Sequence, residues 1–231
     1  MTSSAPRSIR IVPGELETKN AMTRLVIPSS GQSAWPPFVR AGETVVSRMR
    51  RFPSHFHERE EVLTYVTEGF ATYRLDTHPE YPLRPGSARL LTAPTRSTHQ
   101  ISPARAGPIR WFSLVVGLPT SVAGDVRLQS SEPPPTPHYE EEAFVRPLVG
   151  PGTDMKSYAG LECREIRFVE QSTTFQRIGH GRRGLVYVLA GRGSVEGYDV
   201  EAGDGALAEG VAGIAIRSLE GLRVIAASAP Q

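Results

Sequence analysis

The chain has 231 residues, with 26 Lys and Arg against 24 Asp and Glu, so its formal net charge of +2 offers no basic field for nucleic acid. Its 39% hydrophobic content, with 22 Gly and 20 Pro, argues against a disordered or a helical chain and for a turn-rich protein built mainly of strands around a sizeable core. The single cysteine, Cys163, excludes an intrachain disulfide and suits a reducing compartment; Met1 to Arg10 is polar and no run of about 18 apolar residues occurs, so a soluble cytoplasmic protein without membrane contact is expected.

In chain order, residues 1 to about 20 read as a loose arm in which Ile9-Arg10-Ile11-Val12 forms an edge strand. Leu25-Val26-Ile27 is apolar, Pro28 to Gly31 is a turn, and Trp35 and Phe38 pack against a sheet. A strand over Thr44 to Arg50 leads through Phe52-Pro53 into Ser54-His55-Phe56-His57-Glu58-Arg59-Glu60-Glu61, the most informative stretch of the chain. On one extended strand His55, His57 and Glu61 share a face, which puts two imidazoles and a carboxylate together. Such donors suit borderline divalent metals such as iron, nickel, zinc or manganese. Tyr65 to Asp76 reads as a hairpin hinged at Glu68-Gly69, Pro85-Gly86 turns the chain into another strand, and Thr92 to Thr98 leads to His99, a third candidate ligand. A strand follows over Ile109 to Val116. Arg127 to His138 is Pro-rich without apolar periodicity and reads as a linker, dividing the chain into domains 1–136 and 137–231.

The second half repeats the first. Tyr65-Val66-Thr67-Glu68-Gly69 answers Tyr187-Val188-Leu189-Ala190-Gly191 at a spacing of 122, and the turn at Gly86 answers Gly203 at a spacing of 117. Repeats of this length mean duplicated domains. The ligands do not repeat: Arg177, Gly179 and Arg183 stand where His55, His57 and Glu61 do, and Ile216 where His99 does. His180 lies one place out of register between two glycines and reads as a loop residue, so the C-terminal half is expected to carry no metal.

The order His55-x-His57, Glu61-x-x-Thr64-Tyr65-x-x-Glu68-Gly69, Pro85-Gly86, Thr92-Ala93 and His99 resembles the cupin superfamily and, within it, the pirin family. The resemblance covers residues 40 to 230 and is most specific over 55 to 99. It implies an all-β fold of two tandem cupin barrels, jelly-roll-like and closed to remove sheet edges. One divalent metal is implied in the N-terminal barrel, iron first, with nickel, manganese, zinc or copper as alternatives, held by His55, His57 and His99.

The family's fourth ligand, a glutamate two residues after the distal histidine, is Ile101 here, and an isoleucine donates no electron pair. Either the site is three histidines open to water, or another group completes it; Glu61 is the substitute, as a fourth ligand or as a carboxylate bonded to a ligand imidazole, and in catalysis as the general base. The resemblance implies a quercetinase-like dioxygenase acting on a small aromatic substrate; the alternatives are a non-enzymatic, metal-dependent regulatory module with a protein partner, and a metal-free barrel that binds a small molecule. A monomer is expected. The cluster Arg48, Arg50 and Arg51 is a patch a protein partner could use, although with Lys19 and Lys156 as the chain's two lysines an arginine cluster carries little information.

Overall fold

The computed structural model describes residues 8–18, 21–27, 35–47, 52–76, 78–104, 107–133, 139–140 and 142–231, and no helix occurs among them. None is therefore long and apolar enough to cross a membrane. The turn at Pro28 to Gly31, the arginines 48, 50 and 51, and the prolines at 134, 135 and 137 lie outside the described residues.

Two compact units form. One comprises Glu15–Pro133 with Ser157–Ala159; the other takes the described residues of Met1–Gly14, Pro134–Lys156 and Gly160–Gln231. The halves of the sequence thus exchange short segments, which a division at 136/137 does not express. Ser8–Val12, the expected edge strand, pairs with Gly205–Glu209 in the second unit, and Ile9 and Ile11 pack on that unit's core.

In the first unit a seven-stranded antiparallel sheet runs in the order Arg127–Ser131, Ala88–Ala93, Glu60–Glu68, Ile109–Gly117, Phe38–Val46, Met22–Ile27, Glu15–Glu17. A four-stranded sheet runs His55–His57, Ser97–Pro103, Ala71–Leu75, Tyr81–Leu83. Alternation sets the inner face: Ser97, His99 and Ile101 are buried, while Thr98 and Gln100 between them are half-exposed. Val62, Val66, Tyr73, Leu91, Ile101 and Trp111 belong to one core cluster.

Two expectations need correction here. Glu60–Glu68 and Ala71–Leu75 do not pair as a hairpin; they lie in different sheets, and the chain turns a corner between them at Gly69. Gly69 has φ of +81°, and a Cβ there would lie 2.3 Å from the carbonyl oxygen of Pro108, so both conformation and space call for glycine. Arg127–Ser131, read as linker, is a strand paired with Ala88–Ala93 and seats Leu128 against the core. Its hydrogen bonding continues beyond the ladder, since Ser87 and Arg89 both bond to the Glu132 carboxylate.

The second unit is one nine-stranded antiparallel sheet dominated by two long strands, Arg182–Val195 and Gly213–Pro230. Register shifts between Val188 and Gly193 bend their pairing, the usual device for curving a sheet. The duplication is visible in single hydrogen bonds: Gly86 N–H donates to Val66 and Val66 N–H to Ser87, as Gly203 N–H donates to Val188 and Val188 N–H to Asp204. Val186, Val188, Ile214 and Ile216 are buried in the unit's own core.

Candidate metal centre

His55 and His99 are cross-strand partners, and His57 faces Ser97 two residues along the same ladder, so the pleat turns all three imidazoles to the inner face. Their Nε2 atoms converge: His99 Nε2 lies 2.9 Å from that of His55 and 3.2 Å from that of His57. An ion held at the usual 2.0–2.1 Å from imidazole nitrogen needs its ligand atoms about 2.9 Å apart at right angles and about 3.3 Å apart at the tetrahedral angle. The spacings observed fall in that interval. Among the described residues, these three form the group of donors arranged to hold a metal.

Each imidazole is held from behind through Nδ1. His55 donates to the carbonyl of Pro53 at 3.1 Å, and His57 to Oε2 of Glu60 at 2.6 Å. Nδ1 of His99 lies 2.9 Å from the Tyr73 hydroxyl. A proton on Nδ1 leaves the lone pair on Nε2, which is the tautomer a metal requires. Burial lowers the pKa of His55, with the charges of His57 and Arg40 adding to the effect against the Pro53 carbonyl and Glu60. His99, 3% exposed, is pushed well below the usual histidine range by burial and then by the other two imidazoles. Both are neutral at pH 7. Burial likewise raises the pKa of the Tyr73 phenol, so it keeps its proton. Three imidazoles with convergent Nε2 atoms fit a borderline divalent ion.

Glu61 does not join them. The chain bends at Glu58-Arg59, with Arg59 in the left-handed region at φ +59°, and this step reverses the alternation. Val62 therefore lines the cavity beside the histidines, whereas Glu61 faces the other side of its sheet, fully buried. Its carboxylate accepts hydrogen bonds from the Thr92 hydroxyl at 2.8 Å, the Ser157 hydroxyl, and the N–H groups of Tyr158 at 2.9 Å and Ala159 at 3.1 Å. Neither the ligand nor the general-base role fits a carboxylate committed in this way. The carboxylate that does bond a candidate ligand is Glu60. A bend after a His-x-His strand was the missing signal, and Tyr73 becomes recognisable only once its strand is paired with that of His99.

The histidines open on a cavity also lined by Thr23, Arg40, Thr44, Ile101, Trp111 and Ser113. Ile101, 1% exposed, shares this cavity with His99, as positions two apart on a strand require. Phe52 packs edge-on against both His55 and Trp111. The free volume is about 60 Å³, well below the roughly 300–1,000 Å³ that encloses a drug-sized ligand.

In the second unit Ile216 is fully buried in apolar surroundings, Arg183 pairs with Glu209 at 2.8 Å, and His180 is exposed. No cluster of metal-type donors forms there among the described residues.

No family profile matches the sequence, and no curated protein matches it. Solved structures do match in fold. GK1651 from Geobacillus kaustophilus is 21% identical over 97% of this chain and 96% of its own, with a TM-score of 0.86. The bacterial pirin YhhW from Escherichia coli, in complex with nickel(II), is 16% identical over 96% of this chain and 99% of its own, with a TM-score of 0.80. Quercetin 2,3-dioxygenase from Acinetobacter baumannii is 16% identical over 98% of this chain and 88% of its own, with a TM-score of 0.82. The chain shares the all-β fold of these three proteins.

Proposed function

We propose that this chain is a metal-dependent bicupin of the pirin type, in which His55, His57 and His99 hold one divalent ion and a small molecule is oxidised beside it in a dioxygenase-type reaction. The observation that carries the proposal is the convergence of three Nε2 atoms, each on an imidazole whose Nδ1 is engaged from behind. A nickel-bound pirin and a quercetin dioxygenase among proteins of the same fold support the metal and the reaction class. Iron remains the ion expected from the family resemblance.

When bound, the metal supplies a Lewis-acidic centre for an oxygen donor. The chain does the rest. Pro53 and Glu60 fix the imidazole tautomers of His55 and His57, and Tyr73 orients His99; Phe52, Val62, Ile101 and Trp111 keep bulk water from the donors; Ile101, standing where the family carries a glutamate, leaves three protein ligands and room for an external one. The cavity admits a group of few heavy atoms, either a small molecule or one edge of a larger one. Dioxygen uptake by the metal-loaded protein tests the reading: uptake that depends on an added small organic substrate and disappears in His99→Ala is expected, and uptake that persists in His99→Ala contradicts it.

A further inference from the structure

One strand wall of the cavity is charged and polar in a way that the metal reading does not use. Phe38–Val46 turns Arg40, Gly42 and Thr44 inward at every second residue. Across the ladders Gly42 faces Ser113, and Thr44 faces Thr23, whose hydroxyl lies 3.2 Å from that of Thr44. Arg40 thus lines the same cavity as three hydroxyl groups and the three histidines.

Within the described cavity lining that charge meets no carboxylate. No Asp or Glu lines the cavity among the described residues, and the histidines contribute no negative charge. Among the described residues Arg40 pairs with Glu17 on the edge strand at 3.6 Å, and the two side chains are 32% and 54% exposed, which makes it a weak, water-screened contact. With a divalent ion on the imidazoles, and Glu60 as the carboxylate behind His57, the site would still carry a net positive charge, a field that selects anions. The planar fork of a guanidinium matches a carboxylate in two parallel hydrogen bonds. A free volume of about 60 Å³ restricts that anion to a few heavy atoms.

We propose that the ligand of this cavity is a small carboxylate, of the 2-oxo or 2-hydroxy acid class, and that Arg40 is the residue that selects it. The acid group meets Arg40, and the neighbouring oxygen faces the imidazole side. This inference rests on the metal reading and narrows its ligand from a small molecule to a small acid.

Calorimetric titration of the nickel-loaded protein with pyruvate, with its neutral amide and with quercetin tests it, nickel content being measured on every sample. Wild type is expected to hold one nickel and to bind pyruvate at least about tenfold more tightly than the amide. Arg40→Gln should keep its nickel and lose that preference. Equal binding of pyruvate and its amide by wild type, a preference that survives in Arg40→Gln, or binding of quercetin in place of pyruvate overturns the assignment of Arg40. Failure of the wild type to hold nickel overturns the metal reading instead, and this inference with it.

Discussion

Nδ1 of His57 and Oε2 of Glu60 are 2.6 Å apart, three residues away from each other across a bend in the chain. The bond orients a candidate ligand and makes its Nε2 more basic, and carboxylates in this position typically contribute 10–100-fold to metal affinity. Glu60→Ala should therefore weaken metal binding by about that factor without loss of fold. Equilibrium dialysis checks it, and unchanged affinity would remove Glu60 from the site. Tyr73→Phe should weaken binding in the same direction, since Nδ1 of His99 then loses its partner.

The neighbouring carboxylate should behave in the opposite way. Glu61→Ala leaves the Thr92 and Ser157 hydroxyls and two backbone N–H groups without their acceptor in a buried place. Unpaired buried donors cost about 1–3 kcal/mol each, so a loss of at least about 3 kcal/mol in stability is expected. Metal affinity of the folded variant should stay unchanged. Urea unfolding and dialysis on the same preparation separate the two effects, and a stable variant that has lost its metal would return Glu61 to the site.

These two residues also mark how far the sequence alone reaches. His55, His57 and His99 were legible because strand alternation and a three-residue ladder carry side-chain direction faithfully. Parity failed for Glu61 because Arg59, a non-glycine residue in the left-handed region, leaves no local signature of the bend it makes. Gly69 was legible as a turn, but a corner between sheets and a hairpin ask for the same residue; only the pairing partners tell them apart. Arg127–Ser131 was lost because a polar edge strand is held by backbone ladder bonds and by Ser87 and Arg89 on Glu132, none of which shows as apolar periodicity. Arg40 joins the histidines in one cavity through a strand pairing 75 residues distant, with Val115 opposite it.

Ile101→Glu offers a direct gain of function. Its side chain already lines the cavity with His99, so a carboxylate there becomes a fourth donor. Without metal that buried charge is costly. The variant should melt below wild type when metal-free and bind metal more tightly, so added nickel should raise its melting temperature more than that of wild type. An equal rise in both proteins would mean that the new carboxylate does not reach the ion.

Cys163 should be chemically silent. It is 3% exposed, and burial followed by the charge of Glu165 raises its pKa, so little thiolate forms near neutrality. Ellman's reagent at pH 8 should detect no thiol in the native protein and one per chain in denaturant. Rapid reaction in the native state would contradict this packing.

The central claim is that one divalent ion is held by three imidazoles of the N-terminal barrel and by nothing in the C-terminal one. Nickel bound per chain, measured by equilibrium dialysis on untagged protein, tests it most directly in wild type, His57→Ala, His99→Ala and His180→Ala. One equivalent is predicted for wild type and for His180→Ala, and close to none for the other two. A full equivalent retained in His57→Ala and His99→Ala, or a second equivalent lost in His180→Ala, would contradict the account.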